Sequence, residues 1–195
     1  MSKILIVDTS VRSTLLVAEN EGAVKVIDRV PAAGENTSKN IIPLVDEALA
    51  SVGLTMGDLD LVAVAVGPGS FTGLRIGVSV VNAFGTTGVK LLGVNLLEML
   101  LEGEDDQTTA ALPSRAGYCY TDKGEMSVEE VAALDRSVGV EGTGAKTVLK
   151  REAYASRLHT YVKNHAGEAA TEPVAPLYLK KSQAERLREN RKDGD

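Results

Sequence analysis

The hydrophobic positions near the start of the chain form short runs with β-strand character. Residues 3–7 and 61–66 are almost wholly apolar and rich in β-branched side chains, a pattern typical of strands that are buried on both faces. Residues 15–18 and 23–30 predict two further strands, joined by a hairpin turn at 20–22. The pattern therefore predicts three consecutive strands before the first helix.

A helical pattern follows these strands. Its apolar residues recur at the i, i+3, i+4, i+7, i+8 and i+11 spacing of one buried face, and they are Ile41, Leu44, Val45, Ala48, Leu49 and Val52. Pro43 predicts either a helix start near Asn40 or a kink. A second helix at 72–84 and a strand at 91–94 complete a βββαβαβ order, and a helix at 96–101 follows it. This order predicts the α/β class, with a mixed sheet and helices outside it.

The acidic, polar stretch at 102–107 predicts a boundary between an N-terminal half, 1–101, and a smaller C-terminal half, 107–195. The second half repeats a shorter version of the first. The pattern predicts strands at 109–112, 117–121 and 137–140, then a helix at 146–162 and a charged helix at the end of the chain.

Residues 61–89 contain a single formal charge, Arg75, although 25% of the whole chain is charged. On a helical wheel the helix at 72–84 has two apolar faces. One face holds Leu74, Gly77, Val78, Val81 and Phe84, and the opposite face holds Ile76, Val80 and Ala83. The protein's own sheet can cover only one of them. The second face requires either a partner helix or a cover from the second half of the chain, and the pattern leaves both open. A partner helix could approach closely at the small residues Gly73, Gly77, Ser79 and Ala83.

The sequence GPGS at 67–70 predicts a tight turn, with Ser70 or Thr72 as the cap of the following helix. Two catalytic motifs fail here. A phosphate-binding Walker A loop requires lysine after its second glycine, where this chain has Leu74. A nucleophile elbow requires glycines where this chain has Pro68 and Thr72.

Composition narrows the function classes. A net charge of −6 and a pI near 5.1 disfavour autonomous nucleic-acid binding. The single cysteine, Cys119, is typical of a reducing cytoplasm, and no signal peptide is visible. The GPGS turn interrupts the longest apolar block, so we expect no membrane span. The basic tail at 180–192 is interpreted as a solvated helix end rather than a nucleic-acid contact.

Few residues are candidates for catalysis or for binding a metal ion or a nucleotide. His159 and His165 are six positions apart, so they lie on different sides of a helix, and we expect surface histidines and no metal site. Asp8, Gly142 and Gly144 are candidates for nucleotide contacts, but the phosphate loops are incomplete. We interpret Asp8 as a turn cap, with weak or interfacial nucleotide binding as the minority alternative. No catalytic residue and no required cofactor are predicted.

The stretch GPGSFTGLRIGV at 67–78 resembles the signature of the bacterial TsaB (YeaZ) family, the non-catalytic partner subunit in tRNA threonylcarbamoyladenosine biosynthesis. The resemblance extends to ILIVDTS at 4–10, IIPLVDEAL at 41–49, GTGAK at 142–146 and PLYLKKSQA at 176–184. It implies an actin-like, sugar-kinase-like (ASKHA) fold of two RNase-H-like halves, the second reduced. It also implies that the helices at 37–52 and 72–86 pack on the paralogous catalytic subunit TsaD.

Carried over to this chain, the resemblance places thirteen residues at the partner interface: Ser38, Ile42, Asp46, Gly69, Ser70, Phe71, Thr72, Gly73, Arg75, Ile76, Ser79, Val80 and Ala83. The implied partners are a TsaD-like paralogue and, as a further candidate, a TsaE-like ATPase. The chain is expected to form a homodimer in isolation and to meet tRNA only through the complex.

The chain departs from the family pattern at three points. It reads Thr37-Ser38 where the family often has His-Ser, and Pro113-Ser114-Arg115 where the family has Asp-Ala-Arg, and its second half is short. These differences bear on contacts of the second half more than on the helices. The competing hypotheses are an autonomous ATPase or kinase of the same fold, with Asp8 holding magnesium, and a peptidase using Ser70.

Overall fold

A computed structural model of the protein describes residues 2–11, 13–30 and 37–178. The first half contains five strands and three helices: β1 (Lys3–Asp8), β2 (Thr14–Asn20), β3 (Ala23–Arg29), α1 (Thr37–Ala50), β4 (Leu61–Gly67), α2 (Phe71–Gly85), β5 (Lys90–Asn95) and α3 (Leu96–Leu101). These elements confirm the predicted βββαβαβ order. α1 begins before Pro43, so the proline lies in its second turn and does not delay its start.

The strands of the first half form sheet A, in the order β3-β2-β1-β4-β5. β1, β2 and β3 are an antiparallel meander, and β4 and β5 run parallel to β1. The hairpin between β2 and β3 turns at Glu21 and Gly22, which both have positive φ. This left-handed pair is what a two-residue hairpin requires.

Sheet A is covered on both faces, which explains why the middle residues of its central strands are apolar on both sides. On one face Leu5, Val7 and Leu16 pack against α1 and α2. On the other face Ile4, Ile6, Leu15 and Val17 belong to a second core. Alternate residues of one strand therefore enter two different cores, as the two-residue period of a strand demands.

The second half contains β6 (Thr109–Pro113), β7 (Tyr118–Thr121), β8 (Gly124–Ser127), α4 (Val128–Ala133), β9 (Ser137–Val140), β10 (Thr147–Leu149) and α5 (Arg151–Asn164). Its strands form sheet B, in the order β10-β9-β6-β7-β8. Strands β6, β7 and β9 confirm the prediction. The helix predicted at 146–162 was placed too early, because residues 147–149 form β10 and α5 begins only at Arg151. β8 and α4 were not predicted, and the predicted tail helix lies outside the described residues.

The long helix of the second half, α5, packs against sheet A. Tyr154, Leu158 and Val162 of α5 share one core with Ile6 and Val17 of the first half. Polar contacts join the same surfaces. Arg151 donates to Asp28 of β3 at 2.7 and 2.9 Å, and Arg157 donates to the Leu100 carbonyl of α3 at 2.6 Å. The division at 102–107 stays a prediction, and the core on this face of sheet A is common to both halves.

Candidate protein-docking surface

α1 and α2 lie side by side on sheet A, and their outward faces form the surface that we call the docking face. On α1 it includes Ile42, whose surface is 43% exposed, and the exposed Asp46. On α2 it includes the exposed residues Thr72, Ser79 and Ala83. Ser38 belongs to the first turn of α1, but its side chain lies outside the described residues. The structure therefore brings Ile42 and Asp46 of α1 and Thr72, Ser79 and Ala83 of α2 onto one side of the molecule.

The second apolar face of α2 is not enclosed by any described residue. Leu74, Val78 and Val81 are buried against sheet A, as predicted. On the opposite side Ile76 and Val80 are only half-buried, where they pack at the edge of the core beneath α1, and Ala83 is exposed. The sequence left open that the second half of the chain covers this face of α2. The helix α5 of the second half instead packs on the other face of sheet A.

One flank of α2 is covered by a segment that the sequence pattern did not predict. Residues 173–178, which we call the strap, have no regular secondary structure and follow α2 in the opposite direction. Asn82 holds the strap at both backbone groups of Val174, because its Nδ2 donates to the carbonyl and its Oδ1 accepts from the N–H, both at 2.9 Å. The Leu177 N–H donates to the Val66 carbonyl at 2.7 Å.

The strap ends beside the first turn of α2 in an exposed cluster of three side chains. The Arg75 guanidinium lies 4.0 Å from the centre of the Phe71 ring, and its Nε donates to the Tyr178 hydroxyl at 3.1 Å. The two aromatic rings are 5.0 Å apart and tilted by 36°. Phe71 is 37% and Tyr178 42% exposed. Within the described parts of the chain, no carboxylate pairs with Arg75.

The turn before α2 is fixed by the loop that follows β1. Ser70 caps the helix by accepting from the Gly73 N–H at 3.3 Å, which confirms one of the two predicted caps. The Ser70 N–H donates to the Ser10 carbonyl at 2.6 Å, and Thr9 Oγ1 donates to the Gly73 carbonyl at 2.7 Å. Gly69 and Gly73 therefore lie against the loop that follows β1.

The small size of these glycines is needed inside the chain. A Cβ on Gly73 would collide with the Thr9 carbonyl oxygen, and a Cβ on Gly77 would collide with Thr9 Oγ1. A Cβ on Gly69 would lie 2.5 Å from the Ser10 carbonyl oxygen. We expected from the sequence that Gly73 and Gly77 would let a partner helix approach closely, and this expectation is corrected. The close neighbour at both positions is Thr9, and only Ser79 and Ala83 present small side chains to solvent.

Asp8, the nucleotide candidate, is fully buried at the end of β1. Its Oδ1 accepts from the Ser10 N–H at 2.8 Å, which confirms the turn-cap interpretation. Its Oδ2 accepts from the Tyr154 hydroxyl of α5 at 2.8 Å. Burial, together with the Asp8 charge, raises the pKa of Tyr154 well above its ordinary value, so this hydroxyl stays a donor. Gly142 and Gly144 lie in the exposed turn after β9, both with positive φ.

The two histidines are held by carboxylates. His159 pairs with the buried Glu19 of β2, so the expectation of a surface position was wrong for it. His165 stacks on Tyr161, with ring centres 4.1 Å apart, and contacts Glu168 at 2.7 Å. The described residues include no cluster of histidine, cysteine or acidic side chains suited to a metal ion. No described helix has the length and apolar character needed to cross a bilayer.

Sheet A begins with an antiparallel meander, sheet B has shorter strands, and helices pack around both sheets. This arrangement defines the class of protein, an actin-like fold of RNase-H-like halves. A solved structure of YeaZ from Pseudomonas aeruginosa has the same fold, with a TM-score of 0.68 over 92% of this chain and all of that chain, at 22% sequence identity.

Sequence comparisons add related proteins to the likeness of fold. The family model described as TsaD, tRNA N6-adenosine threonylcarbamoyltransferase, matches residues 30–119. The tRNA threonylcarbamoyladenosine biosynthesis protein TsaB of Escherichia coli K12 is 27% identical over 124 residues, which are 60% of this chain and 53% of that protein. An uncharacterized protein of Mycobacterium tuberculosis H37Rv is 35% identical over 102 residues, 51% of this chain and 48% of that one. The chain thus spans about half the length of the curated relatives it matches. Together these findings show that the chain is similar to TsaB (YeaZ) proteins in sequence and in fold.

Proposed function

We propose that this protein is a non-catalytic subunit in tRNA threonylcarbamoyladenosine biosynthesis, which docks on a TsaD-like paralogue through the docking face. Docking would hold the paralogue in the conformation that transfers a threonylcarbamoyl group to the tRNA adenosine. A TsaE-like ATPase is a further candidate partner, and the free chain is proposed to self-associate through the same face.

The observation that carries the proposal is the uncovered second face of α2. Ile76, Val80 and Ala83 stay partly or fully accessible after the strap and α1 have covered the flanks of the helix. Apolar surface of this kind on a helix pair is typical of an interaction site. Charged residues are absent from the middle of α2, as they are from the centres of most protein interfaces.

The extent of the TsaD family match supports the identity of the partner. Residues 30–119 include both α1 and α2, so a TsaD-like chain carries a related helix pair on a related sheet. Two related helix pairs can pack about a pseudo-twofold axis, with α2 of one chain against α2 of the other, in the way that identical chains form isologous dimers.

The surroundings of Asp8 support a non-catalytic role. Both carboxylate oxygens already accept hydrogen bonds, from Ser10 and from Tyr154, and the side chain is enclosed. A magnesium ion would have to displace the Tyr154 hydroxyl from a buried position. An ATPase or kinase of the same fold needs this aspartate accessible.

A charge on α2 tests the proposal. We expect Val80→Glu or Ala83→Arg to abolish co-purification with the TsaD-like paralogue from the same genome. A charge left unpaired in a desolvated interface costs about 3 kcal/mol or more, which is over a hundredfold in affinity. Ala153→Arg, an exposed alanine of α5, is the matched control and should co-purify as wild type does.

The same variants separate the possible outcomes. A folded Ala83→Arg protein that still binds the paralogue at wild-type affinity would refute the proposal. Loss of folding in Val80→Glu alone would show that this position belongs to the internal core, and Ala83→Arg would then decide. A transfer assay on tRNA, with and without the wild-type chain, tests the proposed activation of the paralogue.

A further inference from the structure

The proposed function uses α1 and α2 and leaves the strap unexplained. The strap covers the Arg75 and Asn82 flank of α2, and it is a separate stretch of chain, far along the sequence from the helix that it follows. Its last described residue, Tyr178, lies at the first turn of α2, directly beside the docking face.

The strap is anchored along its length. Asn82 binds both backbone groups of Val174, and Leu177 donates its N–H to Val66 of β4. The side chains of Val174 and Leu177 pack against the core beneath α2. These contacts fix the path of residues 174–177 along α2, and they place the Tyr178 ring at a defined position next to Phe71.

The cluster at the end of the strap has the composition of an interface anchor. Exposed aromatic and arginine side chains provide most of the binding energy in many protein interfaces, particularly when they are held rigid before binding. Here Arg75 is stacked on Phe71 and hydrogen-bonded to Tyr178, so all three side chains are already positioned. The cluster is continuous with Thr72 and Ile76 on the docking face.

Charge indicates what the cluster binds. Arg75 is the only charged residue in 61–89, and none of the described carboxylates pairs with it. Its planar guanidinium, stacked on one ring, keeps N–H donors available for a bidentate contact. A carboxylate on the partner surface would complete this contact without meeting a competing charge.

We propose that the strap is the third element of the docking surface, and that Phe71, Arg75 and Tyr178 anchor the TsaD-like partner through an acidic side chain opposite Arg75. This inference rests on the proposed function. It assigns a binding role to a segment outside the two helices and makes partner affinity depend on residues 173–178.

Three variants of the full-length chain test the inference by calorimetric titration with the purified TsaD-like paralogue. Tyr178→Ala removes one anchor ring, and Asn82→Ala releases the strap without touching the exposed cluster. We expect both to weaken binding by about tenfold or more. The matched control is Tyr118→Ala, because Tyr118 also stacks on an arginine, Arg115 at 3.4 Å, but in the second half of the chain. It should change the affinity less than twofold.

Salt dependence tests the charge contact. Arg75→Gln should lower the affinity and flatten its decrease with ionic strength, because a screened ion pair has been removed. An unchanged salt dependence would overturn the proposed carboxylate. Melting temperatures of all variants, measured in parallel, show whether the fold is kept.

The outcomes separate the inference from the proposed function. If Ala83→Arg abolishes binding while folded Tyr178→Ala and Asn82→Ala bind as wild type does, the inference is wrong and the proposed function stands. If none of these variants changes binding, both are wrong. If Tyr178→Ala weakens self-association of the chain but not binding to the paralogue, the cluster binds a second copy and the inference is overturned.

Discussion

Alanine at Gly77 is expected to destabilise the protein, although alanine is the better helix former. Gly77 lies in the middle of α2 with its Cα turned towards the loop after β1. An added Cβ would overlap Thr9 Oγ1 and lie 3.4 Å from Val64 Cγ2. Thr9 cannot simply rotate away, because its hydroxyl is buried and donates to the Gly73 carbonyl at 2.7 Å.

Two opposing effects set the magnitude. Alanine gains about 1 kcal/mol over glycine in a helix interior. Forcing an extra methyl group into a packed site costs about 1–3 kcal/mol, so the net change at Gly77 is a loss of about 1 kcal/mol. The loss at Gly73 should be larger, about 2 kcal/mol or more, because its Cβ would meet the Thr9 backbone carbonyl, which no rotamer change can move.

Urea unfolding measures these differences directly. The matched control is Gly85→Ala, at the end of α2. Its Cβ would lie 2.7 Å from Leu91 Cδ1, the tip of a flexible side chain that can move aside, so a change near zero is expected. A double-mutant cycle with Thr9→Ala adds a second test, since removing Oγ1 removes the overlap. We expect a coupling energy of about 1 kcal/mol in favour of the double variant.

Two results would refute this reasoning. One is a Gly77→Ala protein that is about 1 kcal/mol more stable than wild type, which is the behaviour of an unconstrained helix site. The other is additivity of Thr9→Ala and Gly77→Ala, which would show that the two side chains do not compete for the same space.

Two further predictions concern buried carboxylates. Tyr154→Phe removes a donor from Asp8 and should lower the free energy of unfolding by about 2 kcal/mol at neutral pH, measured with urea; a change below about 0.5 kcal/mol would contradict the hydrogen bond. Burial alone would raise the pKa of Glu19, but hydrogen bonds from His159 and Lys163 outweigh it and hold the pKa below its usual value, so this stabilisation is present above the unfolded-state pKa and lost as the pH falls through the folded-state value. In His159→Ala the loss should begin at higher pH, and coincident stability profiles between about pH 3 and 6 would contradict the pairing.

The first half of the fold could be predicted because the spacing of its hydrophobic residues distinguishes strands from helices clearly. The fully apolar runs of β1 and β4 and the helical ladder of α1 leave little choice of element type. The second half gave weaker signals. β8 has four residues, α4 has six and β10 has only three, so neither the strand period nor the helix period is long enough to be recognised.

The two apolar faces of α2 were predictable from the helical wheel, but the strap on its flank was not. The strap has no periodicity, because it follows a helix as an irregular segment. Its traces in the sequence are the stretch PLYL at 176–179 and the polar residues Arg75 and Asn82 of α2, each of which proved to hold the strap. The inward orientation of Gly73 and Gly77 also depends on a tertiary contact, with Thr9, that helical spacing alone does not encode.

The position of α5 limits which residues of the second half a shorter protein of this fold can lose. This helix belongs to the second half of the chain, but its side chains Tyr154, Leu158 and Val162 cover one face of sheet A in the first half. A fragment that stops near residue 101 would leave Ile6 and Val17 open to water. Because Ala110 and Leu112 of β6 and Val138 of β9 belong to the same core, a shortened protein must keep these two strands as well as α5 if the first half is to have a dry interior.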